Sequence, residues 1–128
     1  MAIVYDKEKG LISLHSRSTS YQMGIGPYGH LLHYYYGKRG EGDFSYLFQY
    51  KDRGFSGNPY DANADRTYSM DTLAQEYSSF GNGDYRIPAC SISGSDGEGI
   101  LDLRVDHVEI FSGREELLGL PHAKKAEE

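Results

Sequence analysis

The chain is 128 residues long, 38% hydrophobic and 25% charged, with a formal net charge of -6, which suits one domain with a modest core. Charges of both signs are scattered, and same-sign runs are as short as Glu115-Glu116 and Lys124-Lys125. No basic stripe offers itself to a nucleic-acid backbone.

Cys90 is the single cysteine, which excludes an internal disulfide and fits a reducing compartment. The chain opens MAIVYDKEKG, whose apolar stretch, Ala2 to Tyr5, is too short for a signal peptide or a membrane span. A cytoplasmic protein is expected.

Period-two alternation then recurs along the chain. Ile12 and Leu14 alternate with Ser13 and His15, and Tyr21, Met23 and Ile25 share one face before Pro27 and Gly29 turn the chain. Leu31 to Tyr36 is a continuous apolar and aromatic run, the pattern of a strand covered on both sides. Tyr46, Phe48 and Tyr50 alternate again. Thr72-Leu73-Ala74-Gln75 has capping-box spacing and predicts a turn or two of helix.

Near the end, Ser95-Asp96-Gly97 reads as a hairpin turn joining a strand around Ala89 to Ile92 to another from Leu101. Leu101, Leu103 and Val105 lie in one phase and Val108 and Ile110 in the other, which predicts a β-bulge near Asp106-His107. The 16 glycines punctuate short strands, and 12 tyrosines suit half-buried sheet faces or sugar and peptide contacts. The expected fold is all-β, an antiparallel β-sandwich, with residues 1–128 in one unit and no internal repeat.

Catalytic signals are absent. Carboxylates are plentiful between Glu41 and Asp84, but no spacing selects an acid/base pair. His30 and His33 have HxxH spacing, yet residues three apart on a strand point to opposite faces, so no metal site is expected. There is no GxSxG elbow, GxGxxG or P-loop, and Gly24-Ile25-Gly26-Pro27 is a turn. No cofactor is expected.

Sugar recognition finds better material. Asp and Arg pair with pyranose hydroxyls, and the C–H face of the ring packs on an aromatic. Asp52, Arg53, Phe55, Asn58, Tyr60, Asp65 and Arg66 supply such groups within fifteen positions. An Asp–Arg network that only pins a long loop accounts for the same composition.

The order of residues discriminates further. Phe55-Ser56, Asn58-Pro59, Asp65-Arg66, Ser69, Asp71, Leu73, Gln75-Glu76-Tyr77, Gly81, Asp84, Arg86 and Pro88-Ala89 follow one another as in the N-terminal domain of glycoside hydrolase family 36, the bacterial α-galactosidases. The flanks agree at Ser20-Tyr21, Met23, Tyr36-Gly37-Lys38, Asp96-Gly97, Asp102-Leu103-Arg104, His107 and Gly119-Leu120-Pro121. The resemblance spans nearly the whole chain. It departs from the family pattern at Gly57 and Ala74, where prolines are usual, and at Tyr85, where Phe is usual.

The resemblance implies that residues 1–128 are the first part of a β-supersandwich. It also implies a retaining enzyme acting on α-galactosides such as melibiose and raffinose, whose two catalytic aspartates sit on a (β/α)8 barrel outside this chain. By the same likeness Asp52, Arg66 and Phe55 are substrate-binding candidates at a pocket shared between protomers of a tetramer. The competing readings are a stand-alone carbohydrate-binding sandwich and a β-sheet interaction module without a sugar role.

Overall fold

Alternating residues broken by glycine turns build the first third of the chain into one antiparallel meander. The computed structural model describes residues 2–54, 57–113 and 119. Its strands are β1 (Ala2–Asp6), β2 (Leu11–His15), β3 (Thr19–Ile25) and β4 (Leu31–Lys38), hydrogen-bonded in the order β1-β2-β3-β4. β1 was not among the predicted strands. The Asp6 carboxylate closes the first turn by accepting the N–H groups of Glu8 and Lys9, both at 3.1 Å, while Gly10 supplies a φ of 64°.

Tyr21, Met23 and Ile25 do share a face, but the opposite face of β3 is the better buried one. It carries Ser20 and Gln22, covered by the chain that follows β4. Ser20 Oγ donates to Gly40 O at 2.9 Å and accepts Gly40 N–H at 3.1 Å. Gln22 donates to Gly42 O at 2.8 Å and to Ser13 Oγ at 2.9 Å, and accepts Phe44 N–H at 2.7 Å. Buried polar side chains thus satisfy a backbone segment that joins no ladder.

The β-bulge lies in β4 rather than near Asp106-His107. Gln22 pairs with Tyr35 and Met23 with His33, leaving Tyr34 as the extra residue. Its ring crosses Gly24, where an added Cβ would fall 2.1 Å from Tyr34 Cε2.

The rest of the described chain lies against this sheet as turns and extended segments. Leu32, Ala62, Tyr68, Met70 and Leu73 form the core, with Tyr28, Tyr34 and Phe48 packed against it; each fully buried apolar side chain contributes about 1.5–3 kcal/mol. Residues 74–76 occupy the outer edge of β4, where His33 N–H donates to Ala74 O at 2.7 Å and Glu76 N–H to Leu31 O at 2.9 Å.

The antiparallel all-β expectation holds, with one four-stranded sheet among the described residues, but several later elements differ. Tyr46 lies in a short 3₁₀ turn, Ser45–Leu47. Phe48 and Tyr50 are held by ring contacts instead of a ladder, Phe48 edge-on to Tyr34 and Tyr50 stacked on Tyr68. The helix predicted at Thr72–Gln75 is a single turn in which Thr72 and Leu73 both donate to Ser69 O, because Gln75 is drawn into a bridge with Leu32.

The turn at Gly94–Gly97 forms, with Gly97 N–H donating to Gly94 O at 3.0 Å. The flanking segments at 89–92 and 101–110 make no ladder. Leu101 N–H instead reaches Phe80 O at 3.1 Å and Val105 N–H reaches Gly29 O at 2.8 Å. These loop carbonyls take the place of a neighbouring strand.

Candidate functional site

Two of the three predicted sugar-facing residues meet. Arg66 Nη2 lies 3.2 Å from Asp52 Oδ1, with 59% and 55% of the two side chains exposed. The same Asp52 oxygen accepts Gly54 N–H at 2.7 Å, and Arg53 N–H donates to Arg66 O at 3.4 Å. Phe55 lies outside the described residues. Gly54 has a φ of 68°, and a Cβ there would approach Arg66 Nη2 to 3.2 Å. A glycine therefore lets the two segments run side by side.

The loop behind Arg66 is strongly anchored. Asn58 Nδ2 donates to Asp65 O at 2.6 Å and to Tyr68 O at 2.9 Å. Asp65 accepts both the N–H and the hydroxyl of Thr67, which hold its carboxyl below the usual range. Tyr68 is fully buried, and its hydroxyl lies 2.9 Å from His30 Nδ1. His30 Nε2 lies 2.9 Å from Asp102 Oδ1. Arg104 then bridges Asp102 to Asp61.

Burial pushes the Asp102 carboxyl up, but hydrogen bonds from Arg104 and His30 outweigh it and leave the group below its ordinary value. Burial also raises the Tyr68 phenol, which stays neutral. The chain Tyr68–His30–Asp102–Arg104–Asp61 thus joins the start of β4, the loop around 60 and the segment around 103.

A second cluster ties the turn at 70–75 to the segment at 84–86. Arg86 donates to both Asp84 oxygens, at 2.8 and 2.7 Å, and to Met70 O and Leu73 O. Gln75 donates to Asp84 Oδ2 at 3.0 Å. A third cluster centres on Glu76, which accepts the Tyr21 hydroxyl and lies 2.8 Å from His33 Nδ1. Burial and the Glu76 contact push the Tyr21 phenol up to about 12.

His30 and His33 thus have separate partners, and among the described residues no group of three or more His, Cys, Asp or Glu could hold a metal ion. No helix among them is long and apolar enough to cross a membrane.

Residues 29–128 match the family described as the glycosyl hydrolase family 36 N-terminal domain. The chain belongs to that family. It is 49% identical over 121 residues to the bifunctional alpha-galactosidase/sucrose kinase AgaSK of Mediterraneibacter gnavus, covering 94% of this chain and 13% of that protein. The solved galactosidase domain of AgaSK superposes with a TM-score of 0.88 at 48% identity, over 94% of this chain and 17% of the other. A variant of the family 36 α-galactosidase AgaA from Geobacillus stearothermophilus, solved in complex with raffinose, superposes with a TM-score of 0.76 at 38% identity. That match covers 88% of this chain and 16% of AgaA. The chain therefore spans under a fifth of the length of these relatives.

Within this family 36 domain, Asp84, Arg86, Gln75, Glu76, Tyr21, Asp102 and Arg104 all stand at positions that carried the sequence resemblance. Their placement gives those positions a structural task. Spacing alone does not reveal it, because Glu76 and Tyr21 are 55 residues apart and His30 and Asp102 are 72 apart.

Proposed function

We propose that this chain is the N-terminal part of an enzyme that hydrolyses terminal α-galactosides with retention, and that it serves as scaffold, oligomer contact and pocket wall. Asp52 accepts hydrogen bonds from sugar hydroxyls and Arg66 orients it. The observation that carries this reading is the Asp52–Arg66 pair. More than half exposed, it adds at most about 1 kcal/mol to stability, yet its loop is anchored through fully buried Tyr68. Such investment in an exposed pair suits recognition better than folding. The raffinose bound by AgaA supports the substrate class.

In this reading the domain is the opening part of a β-supersandwich in a cytoplasmic tetramer, and the catalytic aspartates lie on a barrel beyond it. The chain alone is then inert toward α-galactosides and binds galactose weakly. The decisive experiment is Asp52→Ala in a full-length enzyme carrying this domain. KM for raffinose should rise at least tenfold, as for loss of a charged hydrogen-bond partner. Unchanged kinetics would remove the pocket role and leave the scaffold alone.

A further inference from the structure

The segment 48–53 presents two chemically different sides. Asp52 turns to Arg66. Its neighbours Lys51 and Arg53 line a separate cleft of about 530 Å³, walled also by His33, Tyr34, Phe48 and Thr72. Over residues 51–53, alternation along an extended chain produces this division. The volume lies in the range of small-molecule sites.

The cleft has three properties that together define a ligand. First, no carboxylate lines it. Asp52, the acid between Lys51 and Arg53, is engaged by Arg66, and Glu76 by Tyr21 and His33, while Asp71, next to Thr72, does not line the cleft. Second, among the described residues neither the Lys51 ammonium nor the Arg53 guanidinium has a hydrogen-bond or ion-pair partner. The site is thus locally cationic in a chain of net charge -6. Third, its wall is ordered. Phe48 and Tyr34 are in edge contact at 5.5 Å, and Glu76 fixes the His33 ring through Nδ1, leaving Nε2 as the ring atom available to a ligand.

We propose that this cleft binds a small anionic sugar, a hexose phosphate or a uronate. Lys51 and Arg53 hold the anionic group, and Phe48 and Tyr34 face the ring. A guanidinium matches the paired oxygens of a phosphate or carboxylate, and an ammonium adds a point charge beside it. The aromatic wall accepts the C–H face of a pyranose, and His33 and Thr72, which line the same cleft, are the polar residues beside its hydroxyls. Asp52 and Arg66 do not line this cleft.

The test is an NMR titration of the chain with glucose 6-phosphate, galacturonate and galactose in parallel. Glucose 6-phosphate or galacturonate should shift the resonances of His33, Tyr34 and Phe48. Whichever binds tighter identifies the anionic group, and galactose should bind at least tenfold more weakly. The double variant Lys51→Gln/Arg53→Gln, exposed positions that leave the fold intact, should lose at least tenfold in affinity, while Lys7→Gln on the distant β1–β2 turn should not. The site is refuted if galactose binds as tightly as the charged sugars, if the double variant binds unchanged, or if the shifts centre on Gly54 and Arg66.

Discussion

Asp84 is ionised although its side chain is only 1% exposed, because Arg86 and Gln75 surround it with donors. The Arg86 hydrogen bonds hold its carboxyl below the ordinary 3.8, against the opposing effect of burial. A carboxyl depressed in the folded state stabilises fully above its unfolded pKa, and that contribution is lost as pH falls through the folded value. The domain should therefore lose stability below about pH 4. Asp84→Asn should cost about 2 kcal/mol at neutral pH, as expected for hydrogen bonds to a charged group, and should flatten the acid limb of a urea-midpoint-versus-pH curve. An acid limb as steep as that of the parent would show that other carboxylates govern it. The sequence marked Asp84 and Arg86 only as members of an ordered series; two residues apart, they gave no sign of clamping a turn built from residues 70–75.

At the scale of elements, β2 and β3 were legible because they keep a period of two, and β4 because its apolar and aromatic run is continuous, although the structure buries only Leu32 of it. The segments at 46–50, 89–92 and 101–110 have the same alternation, but alternation reports a face and not a partner. Aromatic stacking holds the first, and isolated hydrogen bonds to Phe80 and Gly29 hold the last. The bulge at Tyr34 was hidden inside a continuous aromatic run, where no change of phase can be seen. Its fit can be tested at Gly24. Gly24→Ala would press on the Tyr34 ring and should destabilise by about 1–3 kcal/mol. In combination with Tyr34→Ala the cost should be less than the sum of the two single costs, read from denaturant midpoints; simple additivity would place the strain elsewhere. Of the candidate site, Asp52 and Arg66 were picked out by the family likeness from a stretch that also holds Arg53 and Asp65, whereas the anchor through Tyr68 and His30 depends on contacts too distant in sequence to be inferred from spacing.

Taken whole, the described residues leave large apolar side chains uncovered on the segments that join no ladder. Tyr85 and Ile100 are mostly exposed, and Ile87 is 93% exposed. Scattered apolar exposure is ordinary, but a concentration of it marks a contact surface. The chain should therefore self-associate with rising concentration. Ile87→Ser combined with Ile100→Ser should shift sedimentation toward the monomer, while an unaltered distribution would place the contact on another face.

The two outer strands of the sheet also differ in what they can still accept. β4 has committed backbone groups at residues 31–33 to its own chain at 74–76, whereas β1 ends the sheet with Ile3 and Val4 uncovered. The sheet therefore has a direction of growth. Among the described residues, the open berth for a fifth strand, from whatever sequence supplies it, lies beside Ala2–Asp6, so recruitment there proceeds away from the loop that carries Asp52 and Arg66.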